Sequence, residues 1–489
     1  MSFVAYGAFK KERSFFMKKI SEFFKAIGRY FKNFGVAFAK GDIWVKLSTV
    51  IMGAGYFARK QIVNGLIMLI VEAAFVLMCV GYAAPNLAKF GTLGTVKFEQ
   101  VFDPLTMQTT TNNYDNSFQI LLNSVVALFI ILIFVLFYIH NIKTVYKLQQ
   151  MKENGEHINT FKEDMKALFN EKFHITLLTL PTIGVVIMNI LPILILIAVA
   201  FTNYDQQHLP PNSLFTWVGF KNFASLFSNS MTVTFGYSFR KVLGWTLVWA
   251  VMATFTTFIG GILLAKAINS KTTKLPKMWR TLFIISIAVP QFVTLLLVRN
   301  FFADSGIVNT ICSNIGITDL LKHAGLVGEH LTYIPFLTDP HWAKVMIILI
   351  NIWVGVPYTL LQVTGILQNI PTELYEAARV DGAGPIVTFM KITLPYMLFV
   401  TTPYLITTFT GNVNNFNVIF LTTEGLPRSV GSTAGKTDLL ITWLYKLTIE
   451  NQYFDVGAVV GIMTFVTLTI VSLVTFTFSG SNRNEEAFR

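Results

Sequence analysis

Residues that could bind a hydroxyl-rich ligand occur within two of the most apolar stretches of this sequence. Asn351, Gly355 and Tyr358 are spaced by four and three residues, so in a helix they share one face. Asn412 and Asn415 are three apart and would face them if that helix extends far enough. Asparagine amides match hydroxyl groups, tyrosine adds a flat apolar surface, and glycine leaves room for a ring. The same residue types also join membrane helices to each other, so spacing alone leaves both interpretations open.

A second stretch of distinct chemistry, EAARVDGAGPIVTFMKITLP (376–395), interrupts apolar sequence. Pro371 can begin a helix, because its missing N–H would be unpaired at that position anyway. TELYEAARV then continues for two turns with acids near the positive end, and DGAGP ends the helix. We therefore predict a short rigid helix within 371–385, tethered at both ends to membrane helices and suited to transmit a displacement from a soluble partner. An ordinary connecting loop is the alternative.

The elements that must position these residues are membrane-spanning helices. The 489-residue chain is only 13% charged and 53% hydrophobic, with a mean hydropathy of +0.57, whereas an ordinary domain is about 25% charged. Its apolar runs exceed the roughly 20 residues needed to cross hydrocarbon, and they are continuous rather than alternating as in a barrel. We predict an all-α polytopic membrane protein. Its eight spans are expected near 62–84, 118–140, 174–201, 242–268, 281–302, 342–368, 392–411 and 455–479.

The distribution of Lys and Arg predicts the orientation in the membrane. Residues 1–60 hold 12 basic residues against 3 acids, which places the N-terminus in the cytoplasm. Eight alternating spans then put the C-terminus and the 371–385 helix on the same side. The net charge of +12 indicates anionic membrane lipid as a partner rather than nucleic acid, because no groove rich in aromatic and basic residues is evident.

Four segments follow from this pattern. Residues 1–60 are predicted to form a basic cytoplasmic segment with an amphipathic helix lying in the membrane interface. Two accessory spans and a cytoplasmic linker occupy 61–173, a six-helix core occupies 174–480, and 481–489 form a cytoplasmic tail. The apolar face of the interfacial helix consists of Phe16, Ile20, Phe23, Ile27, Tyr30 and Phe34.

The polar segment resembles the EAA signature of ABC importer permeases. Glu376-Ala377-Ala378 is followed by three residues, Gly382, nine residues, Ile392, one residue and Leu394-Pro395. Further stretches look like the larger membrane subunit of maltose and maltodextrin importers, the MalF type, so that the resemblance covers roughly 175 to 480. These stretches are VGFKNF (218–223), WRTLFIISIAVPQF (279–292), NIWVGVPYTL (351–360) and NVNNFNVIFLTTEGLP (412–427).

This resemblance implies a type I ABC importer permease core in the bacterial cytoplasmic membrane, importing maltose, maltodextrin or a related oligosaccharide. It also implies a second homologous permease subunit, two ATPase subunits and an extracellular sugar-binding protein as partners. ATP and Mg would be bound by the ATPase subunits, so no cofactor is expected in this chain. In the enterobacterial form a large extracytoplasmic domain follows the third span. Here only residues 202–241 lie there, so binding-protein docking must use shorter loops.

The resemblance also implies two sets of site residues. In the family the EAA helix docks in a cleft of the ATPase, with the glutamate and its following turn at the contact. The corresponding ATPase-coupling residues are Glu376, Ala377, Ala378, Asp381 and Gly382. The positions that match the family's maltose site are Asn351, Val354, Gly355, Tyr358, Thr408, Gly411, Asn412 and Asn415. Gly411 stands where the relative has an aromatic ring, which bears on sugar stacking and chain-length preference.

Other patterns give weaker signals. GSTAGKT (431–437) misses the GxxxxGK[ST] phosphate-loop spacing by one residue and follows no strand, so we interpret it as a loop. Glu72 is an acid within a span, but it lies in a peripheral helix with no basic partner in the sequence. No nucleophile–base pair, paired carboxylates or metal-ligand spacing is evident, so the chain is not expected to be an enzyme.

Three alternative functions remain at this stage. A permease for another sugar or polyol would carry the same signature. An ion-coupled secondary transporter would need ionisable groups in the core spans, which offer few besides Lys266 and Arg299 near their ends. A membrane scaffold that assembles partners without transport is the third.

Overall fold

A computed structural model describes residues 21–22, 24–26, 28–104, 107–228, 235–270, 272–429 and 431–478. Four positions of the predicted interfacial helix, Phe16, Ile20, Phe23 and Ile27, lie outside the described residues, as does the tail 481–489. Within the described residues the fold consists of helices and one two-stranded hairpin. The chain forms two compact units, Met1–Phe220 and Lys221–Arg489, which are described in turn.

The first unit contains three long apolar helices connected by short helices and the hairpin. Its elements are α1 (28–40), α2 (Ile43–Leu47), α3 (Ala54–Phe57), α4 (Ile62–Phe90), β1 (Gln100–Asp103), β2 (Gln108–Thr111), α5 (Ser117–Glu153), α6 (Phe161–Phe169) and α7 (Phe173–Val199). The strands pair antiparallel, with Gln100 opposite Thr111 and Asp103 opposite Gln108. Single π-helical turns interrupt α4 and α7, at Cys79–Ala83 and Val186–Ile190.

The described part of the N-terminal amphipathic segment, α1, lies against α5. The Tyr30 hydroxyl donates to the Leu136 carbonyl at 2.9 Å, and Lys143 Nζ lies 4.0 Å from the centroid of the Tyr30 ring. Phe34 packs against Tyr138 with ring centroids 6.4 Å apart. One apolar side of α1 is therefore occupied by a transmembrane helix of the same unit.

Glu72, the acid that the sequence placed inside the first span, has a structural partner. Its carboxylate accepts a hydrogen bond from the Met52 N–H at 2.9 Å. The bond holds the segment between α2 and α3 against α4. The partner of Glu72 is therefore a backbone N–H rather than a basic side chain.

Asp115 fixes the chain just before α5. Its side chain is 6% exposed, and it accepts hydrogen bonds from Lys89 Nζ at 2.6 Å and from the N–H groups of Thr95 and Val96 at 2.9 and 3.1 Å. Burial raises the pKa of the Asp115 carboxyl, but the Lys89 ammonium and the two N–H groups outweigh it and lower this pKa to about 2. The carboxylate thus ties the end of α4 to the start of α5.

The second unit holds the residues with predicted functions. Its elements are α8 (Lys221–Phe227), α9 (Phe235–Ile268), α10 (Pro276–Ala288), α11 (Gln291–Phe301), α12 (Ile307–Asn314), α13 (Ile317–His323), α14 (Pro340–Gln368), α15 (Thr372–Val380), α16 (385–413, with a π-helical turn at Phe389–Thr393), α17 (Phe416–Thr422), α18 (Leu440–Tyr445) and α19 (Phe454–Phe478). A buried apolar cluster joins the first halves of α9 and α14 to α11, α16 and α17.

The α9 and α14 helices pack closely because small residues face each other across their contact. A Cβ atom added at Gly261 would lie 2.5 Å from Thr359 Cγ2, and one added at Gly355 would lie 2.7 Å from Thr257 Cγ2. Neither distance is compatible with a van der Waals contact of about 3.5–4.0 Å. Glycine at these two positions therefore sets how near the helices approach, as small residues do in membrane bundles.

The predicted spans agree in position with the structure, with one difference in shape. Among the described residues seven helical segments are long and apolar enough to cross a membrane: Ile62–Phe90, Ser117–Glu153, Phe173–Val199, Phe235–Ile268, Pro340–Gln368, Pro385–Thr422 (α16 and α17 together) and Phe454–Thr475. The expected span 281–302 is instead the pair α10 and α11, which meet at 93°. Pro290 causes the break, because it removes a backbone donor and disfavours helical backbone at Val289, whose ψ is 125°. If this pair is counted as one crossing, the described residues contain eight candidate membrane spans.

Candidate functional site

The predicted EAA helix is present as α15, and its end is defined by backbone geometry. Gly382 has a φ of +74°, a conformation that glycine adopts without strain. The Gly382 N–H donates to the Arg379 carbonyl at 3.1 Å and the Ala383 N–H to the Ala378 carbonyl at 2.9 Å. This pair of bonds is a Schellman cap, so the helix stops after Val380 and the chain turns sharply into α16.

One side of α15 is attached to the membrane helices. Ala378 is only 9% exposed, and the Tyr375 hydroxyl lies 3.1 Å from Thr393 Oγ1, within hydrogen-bond distance. The Tyr375 ring packs against a buried cluster contributed by α9, α14, the segment after α14, and α16. The cluster comprises Phe258, Ile262, Ala265, Ile268, Leu360, Val363, Ile370 and Met397. A displacement of α15 must therefore move the ends of these helices.

The other side of α15 is open. Glu376, Ala377, Asp381 and Gly382 are exposed, so four of the five predicted coupling residues face outward and Ala378 faces the body of the protein. Beside them Val380 is 87% exposed and Ile386, at the start of α16, is 79% exposed. Acidic and apolar side chains thus share one surface, the arrangement expected of a docking site for another protein.

A cavity of about 520 Å³ separates part of α15 from the end of α9. Lys266, Asn269, Tyr375 and Arg379 are among the residues that line it, and Lys266 Nζ lies 4.7 Å from the Phe389 ring centroid. The α15 helix therefore contacts the end of α9 over only part of its length.

Two of the predicted ligand residues, Val354 and Tyr358, line a common cavity of about 130 Å³. The cavity lies between α14 and the break at α10–α11, and Tyr358 is 46% exposed there. Tyr358 therefore has the position of an aromatic platform with an accessible polar tip. Asn351, two turns earlier on α14, is 7% exposed, and its amide makes no hydrogen bond to any residue that the structure describes.

Three other predicted ligand residues have structural contacts. Gly355 faces Thr257 of α9, which fills the space that a ring would need. The Asn412 amide donates to Thr254 Oγ1 at 3.0 Å and is 8% exposed, so it joins α16 to α9. The Asn415 side chain accepts the Val418 N–H at 3.2 Å and caps α17. The sequence prediction that Asn412 and Asn415 share a helix face required one continuous helix. That helix, α16, ends at Val413, so the two asparagines do not share a face.

The last two predicted ligand residues lie on α16, away from the Tyr358 cavity. Thr408 is partly exposed, and Gly411 is exposed with no atom within 4 Å of an added Cβ. The eight positions therefore do not converge on one cavity within this chain. Val354 and Tyr358 line the Tyr358 cavity, Gly355 and Asn412 contact α9, and Thr408 and Gly411 lie on α16. Asn351 is buried outside the lining of that cavity, and Asn415 caps α17.

Sequence reasoning missed the residues that complete the Tyr358 cavity. Ser286, Gln291, Thr294 and Trp353 line it, and the first three flank the break between α10 and α11. Pro290, directly before Gln291, is the feature of the sequence that could have indicated this cavity. A proline break leaves backbone groups without helical partners, and within a membrane such groups are tolerated where they line a cavity. Gln291 and Thr294 add hydroxyl-matching groups to the platform formed by Tyr358.

Comparison with known proteins decides the family. Residues 257–483 match the family described as binding-protein-dependent transport system inner membrane component. The maltodextrin transport system permease protein MdxF of Bacillus subtilis (strain 168) is 39% identical over 444 residues, covering 90% of this chain and 96% of that protein. The chain belongs to this family of transport-system permeases. The permease is also 33% identical over 441 residues, 90% of this chain and 98% of the relative, to the galactooligosaccharides transport system permease protein GanP of the same strain.

A solved structure shares the fold of the permease. One chain in the crystal structure of a bacterial alginate ABC transporter, in complex with an alginate pentasaccharide-bound periplasmic protein, superposes with a TM-score of 0.50 at 23% identity. The match covers 64% of this chain and 98% of that one. The resemblance to ABC importer permeases predicted from the EAA signature is confirmed. The permease is a multi-pass cell-membrane protein and a transport subunit rather than an enzyme.

Proposed function

We propose that the permease imports maltodextrin or a closely related oligosaccharide, driven by ATP hydrolysis in partner subunits. The observation that carries this proposal is α15: an exposed acidic and apolar surface on a helix whose other side is packed into three membrane helices. The substrate class rests on the similarity to a maltodextrin permease and, at lower identity, to a galactooligosaccharide permease.

Coupling would proceed through α15. A nucleotide-binding subunit contacts Glu376 and the turn at Asp381-Gly382, and its closure displaces the helix. Tyr375 passes the displacement to the ends of α9, α14 and α16, because its ring is packed against the cluster that they form. Packed interfaces convert such shifts into discrete rearrangements of helices. ATP and Mg are bound by two such subunits and not by this chain.

The sugar path would run past Tyr358. A pyranose ring offers an apolar face to the Tyr358 ring and hydroxyls to Gln291 and Thr294, which line the same cavity. A cavity of about 130 Å³ is too small for an oligosaccharide. A second permease subunit therefore completes the site, facing the exposed surfaces of Tyr358 on α14 and Gly411 on α16. An extracellular sugar-binding protein delivers the sugar on the side opposite α15.

The coupling step is tested by a charge reversal at Glu376. The complex is purified through a tag on the permease, and co-purified ATPase is quantified for wild type, Glu376→Lys and a matched control, Glu450→Lys. Glu450 is likewise exposed, but it lies between α18 and α19, at the end of the helices opposite α15. We expect Glu376→Lys alone to lose ATPase and uptake while remaining folded. Equal ATPase recovery from both variants would refute the assignment of α15.

The substrate step is tested in proteoliposomes containing the whole complex and binding protein. Maltodextrins should stimulate ATP hydrolysis and enter only with ATP present. Tyr358→Ala should raise the sugar concentration for half-maximal uptake about two- to thirteenfold, since an aromatic contact contributes about 0.5–1.5 kcal/mol. Val345→Ala, an exposed α14 residue outside the cavity, is the control. Stimulation by galactooligosaccharides alone would overturn the substrate assignment. Uptake that needs an ion gradient and no ATP would overturn the mechanism.

A further inference from the structure

A small basic cavity lies at the end of the second unit opposite α15. It has a volume of about 160 Å³ and is lined by the second and third turns of α9, the second turn of α14 and the loop that follows α17. Each of these three elements contributes one lysine to its wall: Lys241, Lys344 and Lys436. Lys436 belongs to the GSTAGKT sequence, which forms a loop as predicted.

The three ammonium groups have no carboxylate of their own. None of them makes an ion pair with an acid in the described part of the chain. Lys344 Nζ lies 4.5 Å from the Trp245 ring centroid and Lys241 Nζ 5.8 Å from that of Tyr237. Contacts with aromatic rings position the two ammonium groups but do not neutralise their positive charge.

One acid, Asp438, also lines the cavity, but its charge is already compensated. Its side chain is 0% exposed and accepts from Lys446 Nζ at 2.8 Å, from the Gly435 N–H at 2.7 Å and from the Thr442 hydroxyl at 2.9 Å. A fourth lysine therefore neutralises it. The cavity keeps an excess of three positive charges, and like charges collected in one site repel each other.

The size and charge of the cavity select its ligand. A water molecule occupies about 30 Å³ in the liquid, so the space corresponds to roughly five waters. This suffices for one tetrahedral oxyanion but not for a sugar unit with its neighbours. A phosphate group has several oxygens to share among three cations, whereas a carboxylate has two, and lysine serves as a point-charge partner for phosphate. Ser429 and Ser432 also line the cavity, and Ser432 Oγ lies 2.7 Å from Ser238 Oγ.

Two of the three lysines lie near the start of candidate membrane-spanning helices. Lys241 and Lys344 lie in the opening turns of helices that cross the membrane, where long basic side chains meet the interface. We propose that Lys241, Lys344 and Lys436 form a binding site for a single phosphate group at the end of the permease opposite α15. The phosphate comes either from solution, as inorganic phosphate, or from an anionic lipid headgroup, and occupancy draws the three elements together.

The site is tested first with inorganic phosphate on the delipidated full-length chain. Thermal unfolding is followed at constant ionic strength while chloride is replaced by phosphate, for wild type, a Lys241→Gln/Lys344→Gln/Lys436→Gln variant, and the control Lys322→Gln. Lys322 lies in α13, in the connection at the same end of the helices, and pairs with Asp319. Phosphate should raise the midpoint of wild type and control by several degrees in a saturable manner and leave the triple variant unchanged. Without phosphate the triple variant should be at least as stable as wild type, because the repulsion is gone.

The second arm identifies the source of the phosphate. Native mass spectrometry counts lipids retained from vesicles containing phosphatidylglycerol or only phosphatidylcholine. A phosphatidylglycerol retained by wild type and lost from the triple variant assigns the site to lipid. Equal retention together with a phosphate-dependent midpoint in wild type assigns it to the free ion. Identical phosphate dependence and identical lipid retention in wild type and triple variant would overturn the proposal. Lys344→Arg, which keeps the charge, should retain binding.

Discussion

Replacing Gly355 with alanine distinguishes a packing role from a ligand-binding role for this residue. The new Cβ would lie 2.7 Å from Thr257 Cγ2, about 1 Å closer than a normal carbon–carbon contact. Thr257 cannot easily rotate away, because its hydroxyl donates to the Ala253 carbonyl at 2.6 Å and to the Thr254 carbonyl at 3.1 Å. The α9 and α14 helices must separate instead. Overpacking of this kind costs about 1–3 kcal/mol, so the midpoint of thermal unfolding should fall.

The compensating change is Thr257→Ser, which removes Cγ2 and keeps the hydroxyl. The nearest remaining atom to the added methyl is then Cβ of residue 257 at 3.4 Å, a tight but tolerable contact. We expect the double variant to regain most of the lost stability, so that the two effects are not additive. Gly365→Ala is the matched control, because an added Cβ on the same helix meets no atom within 4 Å. It should be neutral or slightly stabilising.

The assay measures thermal unfolding and sugar uptake on the same preparations of the full-length chain in its complex. If Gly355 serves packing, the loss and the recovery of uptake follow stability. A Gly355→Ala variant with a normal midpoint and no uptake, not rescued by Thr257→Ser, would refute the packing argument. Such a result would place Gly355 in contact with the sugar.

Three further changes test single contacts, each read by thermal unfolding. Gly382→Ala should lower the free energy of unfolding by about 1–2 kcal/mol, because the positive φ strains alanine while the added methyl meets no atom. Gly382→Asn should lower it by less. Asp438→Asn leaves Lys446, 14% exposed, without its partner and should cost about 3–5 kcal/mol. Adding Lys446→Met should restore part of this loss, and full stability of Asp438→Asn alone would contradict the argument. The lowered pKa of Asp115 stabilises the fold by about 2 kcal/mol above pH 4, and this contribution should vanish as the pH falls from about 4 to 2. Asp115→Asn should remove that dependence, whereas an unchanged acid profile would show that ionisation of Asp115 does not stabilise the fold.

Local signals predicted the short helix α15 and its end well. The helix α15 follows from a proline, two turns of helix formers and a glycine that must adopt positive φ, all within fifteen residues. Its bounds, Thr372–Val380, fall inside the predicted 371–385. The sequence could not tell that Ala378 faces the protein while its neighbour Ala377 is exposed, because that depends on where α9, α14 and α16 lie.

The candidate sugar site was harder to predict, because asparagine and glycine suit both a ligand and a neighbouring helix. The structure places Tyr358 and Val354 at a cavity, but it places Gly355 and Asn412 against α9. The Pro290 break contributes Gln291 and Thr294, more than fifty residues earlier in the chain than Tyr358. Nothing in the local spacing connects these residues to Tyr358.

The amino-acid sequence by itself determined that the chain has about eight apolar segments able to cross the membrane and a short helix between two of them. Both properties depend on interactions between residues near one another in the chain: apolar runs long enough to span hydrocarbon, and the turn and helix preferences around Gly382. The tertiary structure alone decided which faces of α9 and α14 meet, that α10 and α11 diverge at 93°, and that three distant lysines share one cavity. Those features arise from packing between segments that are far apart in the sequence. Local preferences do not distinguish one such arrangement from another, whereas one added methyl group or one unpaired buried charge is enough to favour one of them.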